Sequence, residues 1–183
     1  MRARRSSAFA LLVAAAAALA AAAWRSADPV APILEGSVVA VHDGDTLSVR
    51  LGAATERVRL AQIDAPERGQ PWGRRAQQAL FGLAARRTAR LVVVDRDSYG
   101  RIVADLYVGE LFVNEALVRS GDAWAYPRYL RSPQILEAED EARREGRGLW
   151  RLPAADREAP WEWRRAHRRK GSEHRTKAGQ LPQ

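Results

Sequence analysis

The sequence predicts a β-rich α+β domain around one hydrophobic core, a small barrel or a sandwich, and three observations carry that prediction. From Ser37 to Ile63, three apolar runs of strand character are separated by two glycine turns. From Gly73 to Arg87 the apolar residues switch to a helical period. Two more β-rich runs, Leu91 to Val94 and Ile102 to Val108, follow that helix before two further helical stretches. Five strands with a helix between the third and fourth, and three helices in all, result.

Each element has its own signal. Ser37 to His42 is a compact β-rich run, and Asp43-Gly44 is a tight turn. Thr46 to Leu51 alternates, with Leu47, Val49 and Leu51 on one face and Thr46, Ser48 and Arg50 on the other. Gly52-Ala53-Ala54-Thr55 is the next turn, and Glu56 to Ile63 the third strand. Pairing through that turn sets Leu51 near Glu56 and Asp45 near Gln62, with Asp64 one diagonal step from Asp45. In the helix after Gly73, Ala76, Ala79, Leu80, Leu83 and Ala84 form one stripe. Leu91 to Val94 is rich in β-branched residues and is expected to be a buried strand. Val113 to Ser120 is a short helix stopped by Gly121. The last helix has Ser132 as N-cap, Pro133 at its first position, and Gly146 and Gly148 beyond its end. Glu139 with Arg143 and Asp140 with Arg144 are spaced to pair on its wet side.

The ends read differently from this body. Met1 to Arg5 is basic, Ala8 to Ala23 is uninterrupted apolar sequence, and Ala21 and Ala23 fit a small-residue cleavage pattern. Residues 1–23 are therefore expected to be a signal peptide, or an N-terminal anchor if uncleaved, and the protein to be exported, periplasmic or secreted. No stable membrane span is expected after cleavage. Residues 24–35 read as a linker, 36–152 as the domain, and 153–183 as a basic, disordered tail. The net charge of +8 sits at the ends, because Trp24 to Trp163 holds 20 basic and 21 acidic side chains. Cysteine is absent, which excludes a disulfide framework and a thiolate metal site. No H-E-x-x-H motif, phosphate-binding loop or nucleophile elbow is present, and His42 has no histidine partner in the body.

Chemistry concentrates in a few carboxylates and guanidiniums near strand ends. Asp45 opens the second strand, Asp64 closes the third, and Glu67 follows three residues later. Alone, each aspartate reads as a turn or strand-end residue; their convergence makes a pair that repels without a shared cation. Oxygen donors of this kind favour Ca²⁺ or Mg²⁺ over zinc. Arg59 and Arg101 add guanidiniums able to grip two oxygens of a phosphoryl group in its transition state. Taken singly, each would be a surface ion pair worth under about 1 kcal/mol.

Five stretches, Asp43-Gly44-Asp45-Thr46, Arg59, Asp64-Ala65-Pro66-Glu67, Tyr99-Gly100-Arg101 and Asn114 to Arg119, together resemble the thermonuclease (staphylococcal nuclease-like) family, over about Ser37 to Trp150. The resemblance implies a five-stranded OB-type barrel. It also implies calcium, with magnesium the lesser expectation, held by Asp45, Asp64 and the backbone carbonyl of Ala65. Relatives often have threonine at Ala65, a change that a backbone ligand survives. Arg59 and Arg101 would stabilise the transition state, and Glu67 would hold or deprotonate the attacking water. Tyr99 and Tyr126 would bind a terminal phosphate and stack on a base, with Arg128 and Tyr129 competing for the second tyrosine's place. Ser98 stands where the best-known member has a phosphate-binding lysine, and the loop Arg68 to Trp72 is short. Asn114 is expected to be structural. The implied activity is calcium-dependent hydrolysis of single- or double-stranded DNA or RNA with low sequence specificity, leaving 3′-phosphate ends. The alternative is a non-catalytic OB-type nucleic-acid-binding module. No protein partner is implied.

Overall fold

In a computed structural model that describes residues 31–168, the alternating runs of the sequence become the staves of a barrel. The strands are β1 (Ile33–Val41), β2 (Thr46–Leu51), β3 (Ala54–Leu60), β4 (Ile63–Asp64), β5 (Thr88–Arg96), β6 (Ile102–Val108), β7 (Leu111–Phe112) and β8 (Trp124–Ala125). The helices are α1 (Gly73–Ala84), α2 (Val113–Arg119), α3 (Pro133–Arg144) and α4, residues 160–168. The main sheet runs β3-β2-β1-β5-β6-β7, and β6 also pairs in parallel with β3, so the five long strands close on themselves. The expected five-stranded OB-type barrel is thus borne out. Every second residue points inward: Leu47 and Val49 from β2, Val58 and Leu60 from β3, Leu91 from β5, and Ala104 and Leu106 from β6 are buried. Ala76 and Leu80 of α1, Val113 and Leu117 of α2, and Ile135 and Ala138 of α3 join the same core. Burying each such leucine contributes about 1.5–3 kcal/mol.

Four local expectations need correction. The β2–β3 turn is only Gly52-Ala53, so Leu51 pairs with Ala54 and Thr46 with Arg59, and the ladder is offset by two residues from the expected register. An offset of two leaves every side chain on its expected face, because the pleat repeats at that interval. Asp45 consequently lies across from Leu60, whose N–H donates to the Asp45 carbonyl at 2.8 Å, and Gln62 is elsewhere. Second, β1 begins at Ile33, inside the segment read as a linker, because Ile33, Leu34 and Glu35 pair with Val92, Leu91 and Arg90 of β5.

Third, Glu139 is buried rather than on the wet side of α3, where its Oε1 accepts the Ala125 N–H at 2.9 Å while Arg143 donates to Oε2. Arg144 donates to the backbone carbonyl of Asp140, not to its carboxylate.

Fourth, the segment after residue 152 is ordered up to Arg168: a 3₁₀ turn at Ala154–Asp156 leads into α4. Its composition is basic, but its anchors are aromatic. Trp124 packs edge-on against Trp150 at 4.5 Å and against Trp161 at 5.8 Å between centroids. The expected signal peptide and residues 169–183 of the expected tail lie outside the described residues. Among the described residues, no helix is long and apolar enough to cross a membrane.

Candidate active site

The turn that delivers Asp45 fits its surroundings only with glycine at position 44. A Cβ there would lie 2.6 Å from the Ala65 Cβ and 2.7 Å from the Ala76 Cβ, so the turn packs directly onto α1 and the Asp64–Ala65 segment. The Asp45 N–H donates to Asp43 Oδ1 at 3.0 Å, which sets the turn. The buried Asp45 carboxylate then accepts the Thr46 hydroxyl at 3.0 Å and the Ala65 N–H at 2.7 Å. The last of these bonds joins the two acidic segments directly.

Asp64 reaches the same place by a different route from the one expected. The chain leaves β3 at Ala61, turns through Gln62 at a φ of 66°, and returns as β4, which pairs with β8. The Gln62 amide stabilises that turn: its Oε1 accepts the Arg131 and Ser132 N–H groups at 2.9 and 2.8 Å, and its Nε2 donates to Asp105 at 2.9 Å. Ser132 stands at the N-cap of α3 without a capping bond from its own side chain.

Arg59 ties both aspartates together. One guanidinium nitrogen lies 3.2 Å from Asp45 Oδ2, and the other donates to Asp64 Oδ1 at 2.7 Å. The first also donates to the carbonyls of Leu60 and Ile63 at 2.9 and 3.0 Å. Burial pushes the Asp45 carboxyl up to about 6; Arg59 opposes the rise and Asp43 adds to it. Burial likewise raises the Asp64 carboxyl, against the pull of Arg164 and Arg59. Asp64 is 0% exposed.

Glu67 sits at the rim on a loop fixed from two sides. Its N–H donates to Gln70 Oε1 at 3.0 Å. A Cβ on Gly73 would lie 1.9 Å from its carbonyl oxygen, so only glycine fits where α1 begins. Its carboxylate meets a residue whose surrounding sequence reads as a disordered tail. Arg164 of α4 donates to Glu67 Oε1 at 2.7 Å and to both oxygens of Asp64 at 3.1 and 2.7 Å. Burial disfavours the Arg164 charge, and the bonds to Asp64 and Glu67 outweigh it and raise its pKa.

Arg101 is one strand away and does not touch this cluster. Its Nε donates to Asp97 Oδ2 at 2.7 Å, and with Arg57, Tyr99 and Gly100 it lines an open cavity of about 290 Å³. In the parallel β3–β6 ladder Arg59 is opposite Val103, so Arg101 lies on the same barrel wall, roughly 7 Å further along. Burial raises the Asp97 carboxyl, and hydrogen bonds from the Arg101 side chain and from the Arg101 and Tyr99 N–H groups more than reverse it. Tyr99 is 83% exposed.

The second tyrosine region lies on the opposite side of Asp64. Asp64 pairs with Trp124 across the β4–β8 ladder, and the Tyr126 N–H donates to the Gln62 carbonyl at 2.8 Å. Tyr126 and Tyr129 meet edge to face at 5.0 Å, with Arg128 over the Tyr129 ring at 5.5 Å. The two candidates form one aromatic corner. Trp161 of α4 stacks on Tyr126 at 5.1 Å with planes 5° apart. Asn114 is structural, as expected: buried, it donates to the Ala61 carbonyl at 2.9 Å and accepts the Leu106 N–H at 3.0 Å.

The structure therefore joins Asp45, Arg59, Asp64, Ala65 and Glu67 in one site, sets Arg101 and Tyr99 beside it, and gathers Tyr126, Arg128 and Tyr129 at its other edge. Sequence reasoning missed Arg164, Trp161, Gln62 and Gln70. The one signal for the first two was a pair of tryptophans, Trp161 and Trp163, in a stretch otherwise read as solvated charge. Among the described residues, no three histidine, cysteine, aspartate or glutamate side chains converge as a ready-made metal array. The two carboxylates that share Arg59, those of Asp45 and Asp64, offer oxygen donors only, the donor chemistry of a hard divalent cation. Asp64, together with Glu67, already holds a second positive charge, the Arg164 guanidinium.

Comparison with known proteins comes to the same place. A family model described as staphylococcal nuclease homologue matches residues 57–152. The chain is 43% identical to "Micrococcal nuclease" of Shigella flexneri over 143 residues, covering 72% of this chain and 80% of that one. It is 40% identical to an "Uncharacterized endonuclease" of Escherichia coli over 132 residues, covering 72% and 85% respectively. It is also 43% identical to "Protein ParB" of Escherichia coli over 150 residues, covering 76% and 84%.

Proposed function

The chain belongs to the staphylococcal nuclease family, and we propose that it is a calcium-dependent nuclease hydrolysing DNA or RNA with low sequence specificity, leaving 3′-phosphate ends. The observation that carries this reading is the convergence of Asp45, Asp64 and Glu67 around guanidinium groups at one edge of the barrel.

Asp45, Asp64 and the Ala65 carbonyl would hold the cation. A divalent ion bound there supplies Lewis-acid polarisation of a phosphoryl oxygen and acidifies water. The protein's own groups do the rest. Glu67, fixed by Gln70 and Gly73 at the rim, accepts a hydrogen bond or a proton from the attacking water at its carboxylate. Arg59, clamped by two carbonyls, presents a fixed positive charge beside the phosphate site and needs no reorganisation as charge develops. Asp97 holds Arg101 by its Nε and leaves it lining the cavity, where it meets the phosphoryl group from the β6 side. Tyr126 and Tyr129 offer a stacking platform worth about 1–3 kcal/mol per base, which tolerates any base and fits low specificity.

The test is cleavage of end-labelled single-stranded DNA and RNA by the purified chain with Ca²⁺, with Mg²⁺ or with excess chelator. Cleavage that needs Ca²⁺ and leaves ends refractory to exonucleases requiring a 3′-hydroxyl is the expected result. Full activity in excess chelator would end the calcium assignment. A folded protein that binds DNA yet cleaves nothing under any condition would make the chain a binding module instead.

A further inference from the structure

We propose that helix α4 is an internal occupant of the active site, with Arg164 in the place of the divalent cation and Trp161 in the place of a nucleic-acid base, and that cation and substrate must displace it. The inference rests on the functional reading above and concerns residues beyond it, since the family match ends at residue 152.

Arg164 takes up the charge that a cation would use. Both Asp64 oxygens and one Glu67 oxygen accept its N–H groups. A cation shared by Asp45 and Asp64 needs at least one Asp64 oxygen, and two guanidiniums contest it. Arg59 belongs to β3 and is also bound to Asp45 and to two backbone carbonyls. Arg164 comes from a helix whose contacts with the site are side-chain contacts, so Arg164 is the one that yields. Charge balance agrees: three carboxylates against two guanidiniums leave one negative charge, and exchanging Arg164 for a divalent ion leaves none.

Trp161 covers the aromatic corner in the same manner. Its ring lies parallel to Tyr126 at 5.1 Å, a stacking arrangement that a base on Tyr126 would reproduce. Ring and guanidinium come from one turn of one helix, spaced i and i+3, so the two sites are covered or uncovered together. The segment entering α4 is also tied to the catalytic loop. Gln70 Nε2 donates to the Glu158 carbonyl at 2.5 Å, while the other end of the same side chain accepts the Glu67 N–H. Opening of α4 therefore frees Gln70, the side chain that fixes Glu67. Because the cation binds only where α4 has left, its apparent affinity is reduced by the fraction of molecules already open.

Two measurements on the full chain test this. Amide hydrogen exchange of residues 160–168 is followed with and without saturating Ca²⁺, and Ca²⁺ affinity is measured by calorimetry for the wild type, R164Q and W161A. The expected result is exchange in α4 that speeds at least tenfold on Ca²⁺ addition. Ca²⁺ should bind about tenfold tighter to R164Q, the scale set by a charge-assisted hydrogen bond. W161A changes no charge, so its expected several-fold tightening isolates displacement of the helix from simple electrostatics. Ca²⁺ binding to the wild type with α4 exchange unchanged, or W161A affinity equal to wild type, would overturn the proposal and leave the nuclease reading intact. Absence of Ca²⁺ binding in all three proteins would overturn both. The wild-type exchange measurement decides the matter even if a variant fails to fold.

Discussion

The acidic cluster and the Arg101 corner occupy neighbouring strands of one barrel wall and are built in opposite ways. Asp45 and Asp64 are buried, Arg59 is half-buried, and the three are held by backbone as well as side-chain bonds, whereas Arg101 hangs from a single aspartate at a corner where Tyr99 is almost fully exposed. The cluster stores charge at a cost in folding free energy that burial imposes. The corner costs the fold little, and under the proposed function its importance would come when a phosphate arrives. On the proposed function, in which the site grips a cation before substrate and a transition state after it, one half would be rigid and the other accessible.

The widest separation between the halves should come from their arginines. Arg101→Ala is expected to lower turnover at least a hundredfold, while unfolding stability changes by about 1 kcal/mol or less, because one half-buried ion pair with Asp97 is lost. Arg59→Ala should lose turnover to a similar degree and also destabilise the fold by about 3 kcal/mol, because two buried carboxylates lose their shared partner. Equal stability losses in the two variants would erase the distinction. Glu67→Gln, on the rim between them, is expected to cost at least a hundredfold in turnover with the fold unchanged.

Acid–base linkage sharpens the comparison at the next scale. Asp45 titrates near 6 in the folded protein against an ordinary value of 3.8, so the native state holds that proton more tightly than the unfolded chain. Stability of the cation-free protein should therefore fall as pH rises from about 4 to 6, by about 3 kcal/mol in total. Asp97, whose pKa is lowered, works the other way: its small contribution is present above the unfolded value and disappears on acidification. Denaturant midpoints measured across this range in the presence of chelator check the sign. A profile that rises from pH 4 to 7 would contradict the burial argument.

Smaller effects concern the rim. Tyr126→Ala should weaken single-stranded DNA binding by about 1–3 kcal/mol, and Tyr129→Ala by less, since only Tyr126 presents a full face in the present stack. Titration of a fluorescent oligonucleotide would show the order. Smallest of all, deleting residues 169–183 removes four basic side chains. The slope of log K against log salt should then flatten by about 0.9 for each phosphate that those side chains had neutralised. An unchanged slope would mean that those residues do not touch the substrate.

Much of this molecule could be anticipated from short-range signals. Alternation in Thr46 to Leu51, the glycine turns, the helical stripe after Gly73 and the Ser132-Pro133 helix start all depend on neighbours within a few residues, and all reappear as elements. The acids of the site, with Arg59 and Arg101, were likewise recognisable by type, order and spacing. What could not be read was the route by which they meet. The left-handed turn at Gln62 depends on amide bonds to Arg131, Ser132 and Asp105 from distant parts of the chain, so no local pattern announces it. Burial of Glu139 follows from the Ala125 N–H that needs an acceptor beside it, another long-range circumstance.

The C-terminal segment shows the boundary most clearly. Its charge and lack of period pointed to a solvated tail, and composition contains nothing that sets Arg164 against Asp64, a hundred positions earlier. That pairing arises because Trp161 finds Trp124 and Tyr126, which are themselves positioned by the β4–β8 ladder. Strand, helix and turn preferences are local free energies written residue by residue. Which side chain neutralises a buried carboxylate is settled by packing, after the barrel has closed and the aromatic corner exists to dock against.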